Sequence, residues 1–356
     1  MPPAPGRDQL QTVAARATET LSDAVREGLP PMVVGALPFH PSGSPHLVVP
    51  QHITTDRPLR AWPGGPEDRV LDGLPTRHPV PAPRDYVESV AQAVSMMRAG
   101  DGLDKVVLAR ALELRGVEPD IPTLLRRLAA ADPWAHVYAV DLPASSGAPR
   151  TFLGASPETL LRRVGDTVES LPLAGSARRS PDPVEDARRG AELLCSVKDR
   201  DEHAVVIHDI ADNLAPLCSA LEVPDGPELI RTRAMWHLAT RIRGRLADRA
   251  ITSLDLAAAL HPTPAVCGRP RDRARDAIGE LEPLDRGYYA GAVGWQDIAG
   301  DGEWIVAIRC GEVEGDTVRL WAGAGLVEAS DPEGELAETT AKFGTLLSAI
   351  GLETGR

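Results

Sequence analysis

Hydrophobic positions in this chain follow two different periods, and the switching between them predicts a mixed architecture. Spacings of three and four residues predict helices over Leu10–Val25, Tyr86–Arg98, Ile121–Ala131, Ser253–Leu260, Arg271–Leu281 and Pro332–Ile350. Glu185–Leu221 is the longest helical stretch, with Pro216 as its expected break. Alternating or β-branched runs predict strands at Met32–Phe39, His46–Pro50, Lys105–Leu114, His136–Leu142, Thr151–Ala155, Thr159–Arg163 and Trp236–Ile242. Tyr289–Ile298, Glu303–Cys310 and Val318–Ala322 read as three adjacent strands. Met1–Gly6 is Pro-rich and reads as frayed, and Ala61–Arg84 reads as a long Pro/Gly-rich connection. No repeat appears and no linker cuts the chain. The pattern is that of an α+β domain with large antiparallel sheets, not of alternating βαβ units.

Composition narrows the function. The 356 residues are 43% hydrophobic, enough for a large core, and a net charge of −13 argues against a nucleic-acid partner. Cys195, Cys218, Cys267 and Cys310 are scattered without C-x-x-C spacing, so they read as buried thiols in a reducing compartment. No apolar run approaches a membrane span and no leader pattern precedes the N-terminus, so a cytoplasmic protein is expected.

Familiar motifs fail on single positions. Gly323-x-Gly325 lacks the third glycine of a dinucleotide fingerprint, since position 328 is Glu328. Gly154-x-Ser156 has Glu158 where a nucleophile elbow needs glycine. His203 and His208 are spaced wrongly for a zinc protease helix.

What remains is a set of charged residues in apolar or crowded company. Lys105 opens an apolar strand, Glu158 follows Ser156-Pro157 between two strands, and Glu202 lies mid-helix. His237 and Arg309 are embedded in runs that otherwise read as core. Near the C-terminus a strand enters the glycine-rich turn Gly323-Ala-Gly325 and then a helix. Ser330 and Glu333 fit a capping box there, and Pro332 fits the first turn. Glu335 and Glu338 share a helix face, with Lys342 one turn on. That arrangement suits a hard cation and an anion. Taken alone, it reads better as a solvated face with a Glu338–Lys342 pair.

The combination changes that balance. Asp104-Lys-Val-Val-Leu-Ala-Arg110, Gly154-Ala-Ser-Pro-Glu158, Leu173-Ala-Gly-Ser-Ala-Arg-Arg179, Lys198-Asp-Arg-Asp-Glu-His203, His261-Pro-Thr-Pro-Ala265, Gly294-Trp295, Ile308-Arg309, Gly323-Ala-Gly325 and Glu335-x-x-Glu338 occur in order. Together they resemble the chorismate-utilising enzymes, the family of anthranilate, aminodeoxychorismate, salicylate and isochorismate synthases. The resemblance covers residues 101–356, with 1–100 matching weakly. It implies one catalytic domain over 1–356, two packed, mostly antiparallel sheets with helices outside.

The resemblance also implies a reaction. Lys105 stands where ammonia-using relatives carry glutamine, Ala174 cannot serve as a nucleophilic lysine, and Ala265 lacks the hydroxyl of salicylate-forming relatives. An isochorismate synthase of the 2,3-dihydroxybenzoate siderophore branch is implied, with salicylate synthase or the menaquinone branch as alternatives. By the same resemblance Lys105 is the base that activates water and Glu158 the acid that protonates the departing hydroxyl. Mg²⁺ is the implied cofactor, held by Glu202 and Glu338 with Glu335 in support. Gly175, Ser176, His237, Ala265, Arg309, Gly323 and Lys342 are the implied substrate contacts, with Arg309 clamping a carboxylate. Mg²⁺, Arg309 and Lys342 bring four positive charges against four negative ones from the dianionic substrate, Glu202 and Glu338. A monomer that needs no amidotransferase subunit is expected.

Overall fold

The computed structural model describes residues 9–55, 70–71, 73–144, 147–232 and 235–353, so the Pro-rich Met1–Gly6 lies outside the described residues. The α+β class and the predominance of antiparallel pairing are as expected. The chain divides into two compact units, each assembled from three separate stretches: 1–55, 157–263 and 291–306 in one, and 56–156, 264–290 and 307–356 in the other.

The first unit holds an eight-stranded sheet that includes Met32–Leu37, Thr159–Val164, Thr167–Leu171, Ile242–Leu246, Ala292–Asp297 and Gly302–Val306. A smaller three-stranded sheet joins Glu228–Arg231, Met235–Ala239 and Leu173–Arg178. Helix Ser253–Leu260 begins with a capping box between Thr252 and Asp255, and its start is tied to the large sheet by side chains. Gln296 Oε1 accepts from the Leu254 N–H at 2.9 Å, and the fully buried Trp304 donates its indole N–H to Ser253 Oγ at 3.3 Å.

In the second unit the seven-stranded sheet is built around Lys105–Arg115, which pairs with Thr317–Leu326 over ten consecutive residues. Helices Ile121–Ala131 and Pro332–Ile350 cover one face of this sheet. Leu124, Leu128, Phe343 and Leu347 pack there against Leu114, Leu153 and Leu320. Side chains of this size contribute roughly 1.5–3 kcal/mol each when fully buried. Among the described residues no helix is long and apolar enough to cross a membrane.

Several expectations need correction. Thr76–Val80 is a strand and Pro83–Arg98 a helix, so the expected connection over Ala61–Arg84 is shorter. The strand escaped notice because it is exposed and polar, and its order comes from pairing with Ala111–Arg115. The long helical stretch ends near Pro216 as expected, at Leu214, but it also breaks at Ser196, whose hydroxyl caps the helix Val197–Leu214 by accepting from the Asp199 N–H. Pro216 lies in the short 3₁₀ turn that follows. Asp331, not Ser330, caps the closing helix, with Pro332 in its first turn as expected. Of the three strands expected to be adjacent, the first two pair with each other, while the third belongs to the other unit's sheet.

Gly35 and Gly294 face each other across the strand pair Met32–Leu37 and Ala292–Asp297. A Cβ on Gly294 would lie 2.1 Å from the Glu303 carbonyl oxygen, and no flexible side chain could yield there. Gly294→Ala is therefore expected to lower stability by roughly 1–3 kcal/mol in urea unfolding. An unchanged midpoint would show that these strands separate at little cost.

Candidate active site

Lys105 opens its strand almost completely buried, at 3% exposure. The short strand Gly268–Arg269 runs beside it: Arg269 pairs with Lys105, and the Asp104 N–H donates to the Arg269 carbonyl at 2.8 Å. Contact is so close that a Cβ on Gly268 would fall 2.2 Å from the Lys105 carbonyl oxygen, and its φ of +138° disfavours any side chain. This glycine thus fixes the loop that carries the half-buried Ala265 against the start of the lysine strand.

A second group gathers where the closing helix meets the strand Thr317–Leu326. Lys342 Nζ donates to the Gly323 carbonyl at 2.8 Å and lies 2.6 Å from Glu338 Oε1, forming the anticipated i, i+4 pair. A Cβ on Gly323 would meet the Tyr289 hydroxyl at 2.7 Å, so the glycine keeps that contact open. Glu335 is buried on the same helix. Burial, and after it the charge of Glu335, drives the Tyr86 phenol well above its ordinary pKa.

Arg110 had no assigned role, yet it anchors this helix. Its guanidinium donates to Thr339 Oγ1 at 2.8 Å, to Thr340 Oγ1 at 2.5 Å and to the Leu336 carbonyl at 3.3 Å. It also lies over the rings of Tyr86 and Phe343. The residues it grips alternate with Glu335, Glu338 and Lys342. An arginine within an apolar strand was the signal in the sequence, the same one that drew attention to Arg309.

Arg309 is not inside a strand as expected. Its φ of +52° ends one extended run, so that Gly302–Val306 and Cys310–Glu314 are separate strands. The Arg309 carbonyl accepts from the Ala155 N–H at 3.1 Å, which fixes the turn.

In the first unit Glu158 is also 3% exposed, and its carbonyl accepts from the Val306 N–H at 3.1 Å. Ser176 and the buried His237 stand opposite each other on paired strands. Gly175 adopts φ +79°, where a Cβ would crowd Asp199 and Leu238. Asp199 is in the first turn of the helix bearing the half-buried Glu202. His203 locks that helix in place, with its ring nitrogens 3.1 Å from the Ala174 carbonyl and 2.7 Å from Thr240 Oγ1. Here too the sequence held a signal, a histidine beside the acidic run, which zinc spacing had ruled out for another purpose.

Glu335 and Glu338 on the closing helix, and in the first unit Glu202, are carboxylates, the donor type that suits a hard cation. Among the described residues no group of three or more His, Cys, Asp or Glu side chains forms a cage for a metal. Mg²⁺ does not need such a cage, because it keeps several waters and takes part of its coordination from an anionic substrate. The donor set fits.

Residues 69–351 match the family model for chorismate binding enzyme. The chain is 49% identical to isochorismate synthase DhbC of Bacillus subtilis (strain 168), over 99% of this chain and 89% of that one. A solved Bacillus anthracis structure described as a 2,3-dihydroxybenzoate-specific isochorismate synthase superposes with a TM-score of 0.88 at 43% identity, covering 98% of this chain and 91% of its own. The menaquinone-specific isochorismate synthase MenF of Escherichia coli gives 0.80 at 26% identity, over 95% and 83%.

Arg110→Lys should loosen the closing helix, because an ammonium cannot span the two threonines and the carbonyl as a guanidinium does. We expect a loss of about 1–3 kcal/mol and faster amide exchange across residues 335–342. Unchanged exchange would mean that the apolar face alone holds the helix.

Proposed function

The chain belongs to the chorismate-binding enzyme family, and on that premise we propose that it is an isochorismate synthase, an isomerase acting on chorismate. The observation that carries the reading is the buried Lys105 at the start of a strand held by backbone on its flank. Lys105 takes a proton from water while the water oxygen bonds to ring carbon C2. The double bonds shift, the bond from C4 to its hydroxyl breaks, and Glu158 gives that hydroxyl its proton so that it leaves as water. Proton transfer from a well-placed acid is needed because hydroxide is a poor leaving group.

The substrate is a dianion, and the remaining residues answer its charge. Arg309 would clamp the enolpyruvyl carboxylate, with Lys342 and the N–H groups of Gly175 and Gly323 adding donors. Ser176 and His237 would line the ring. Glu202 and Glu338, supported by Glu335, would hold Mg²⁺, which when bound supplies two positive charges to the ring carboxylate. Ala265 offers no hydroxyl beside the ring, which supports release of isochorismate rather than its conversion to salicylate.

Greater likeness to the 2,3-dihydroxybenzoate-specific structure than to the menaquinone-specific one supports the siderophore branch. We read the two units as one catalytic domain over 1–356, working as a monomer in the cytoplasm without an amidotransferase subunit. All four cysteines are free thiols, which supports a reducing compartment, although only Cys267 and Cys310 are buried as expected, while Cys195 is exposed and Cys218 half-buried.

Incubation with chorismate and Mg²⁺, with products separated by chromatography, is expected to yield isochorismate, and excess EDTA to stop turnover until Mg²⁺ is returned. Salicylate and pyruvate as main products would overturn the reaction, and full turnover in EDTA the metal assignment. In the same assay Lys105→Gln is expected to lose at least about 100-fold in rate while remaining folded, since glutamine cannot accept the proton. A parental rate would make Lys105 a structural residue.

A further inference from the structure

Strand Lys105–Arg115 has an incomplete edge. On the side opposite Thr317–Leu326 it pairs with Gly268–Arg269 at its start and with Thr76–Val80 at its end. Between these, Val107 and Ala109 present backbone groups toward that edge with no strand among the described residues to receive most of them. The Val107 N–H reaches the Cys267 carbonyl at 2.8 Å. Its carbonyl and the Ala109 N–H meet side chains instead. Glu282 Oε1 accepts from the Ala109 N–H at 2.7 Å, and Arg286 Nη2 donates to the Val107 carbonyl at 2.7 Å.

Glu282 and Arg286 also pair with each other, with Arg286 Nε 2.9 Å from Glu282 Oε2, and both side chains are only 2% exposed. Arg286 Nη1 donates in addition to the Val266 carbonyl at 2.9 Å, in the loop next to Ala265. The carboxylate thus does the work of a neighbouring strand's carbonyl and the guanidinium that of its N–H. A buried ion pair is a poor source of stability, since apolar residues of similar volume often serve as well or better. Its hydrogen bonds, by contrast, hold two specific segments in register.

We propose that Glu282 and Arg286 are positioning residues, completing the edge of the Lys105 strand and joining to it the loop that carries Ala265. This rests on the reading of Lys105 as the base. Breaking the pair displaces the base relative to bound water without touching Arg309 or Lys342, so turnover falls and substrate affinity holds.

The test uses Glu282→Gln, Arg286→Lys and the double variant Glu282→Leu/Arg286→Met, which fills the same space without charge. In steady-state assays with chorismate and Mg²⁺, the double variant is expected to fold and to lose about 100-fold in kcat. KM for chorismate should stay within about threefold. Glu282→Gln keeps an acceptor for the Ala109 N–H and should lose less. Amide exchange in residues 105–110 should rise in the double variant. A folded double variant with parental kcat, a change confined to KM, or unchanged exchange would each overturn the proposal. If the double variant does not fold, the kcat-to-KM split in the two single variants decides by the same criterion. An inactive parent enzyme would overturn the functional reading itself, whereas failure of this proposal shows as an active parent matched by its variants.

Discussion

Keeping ionised side chains satisfied away from water is the constraint around which the seven-stranded sheet is organised. Lys105, Arg110 and Glu113 are all buried on one strand. Each would cost several kcal/mol if left without partners. Strand alternation sends Lys105 and Glu113 to one face and Arg110 to the other, where the closing helix lies. Glu113 is met by Arg115 and Arg319, whose hydrogen bonds outweigh its burial and leave its carboxyl below the usual range. Arg110 is met by threonine hydroxyls, a carbonyl and two aromatic faces. Different partners solve the same electrostatic problem on each face.

These arrangements turn single residues into geometry. Arg110 couples the lysine strand to the helix of Glu335, Glu338 and Lys342, and Gly268 couples it to the loop of Ala265. In the first unit His203 does the corresponding work, joining the Glu202 helix to the strand that carries Gly175 and Ser176. Each of these candidate site residues is held by a neighbour outside the proposed chemistry.

Much of this was legible in the sequence, and the exceptions share a cause. Ile121–Ala131, His136–Leu142, Ser253–Leu260, Arg271–Leu281 and Pro332–Ile350 match their expected bounds to the residue. Thr167–Leu171, Cys218–Glu222 and Glu228–Arg231 were missed. They are short and partly exposed, and their extended form depends on pairing with remote strands. Among site residues, Lys105 and Glu158 were visible as charges in apolar or confined company. The partners of Arg110 lie 229 and 230 residues away, beyond any local pattern. Glu282 and Arg286 have a legible i, i+4 spacing, but Pro283 lies between them at the end of a helix, so the segment reads as a turn.

The ten-residue pairing of Lys105–Arg115 with Thr317–Leu326 has a consequence for synthesis on the ribosome. Its second strand is made about 200 residues after the first, so at typical translation rates the first waits roughly 10–40 s for its partner. During that interval the nascent chain presents an apolar, β-branched segment with an unpaired edge, the kind of segment that adheres to other chains. Lys105, Arg110 and Glu113 interrupt it at intervals and oppose that adhesion before any of them has a folded environment. The charges that the finished sheet must accommodate therefore guard the strand while it is still alone.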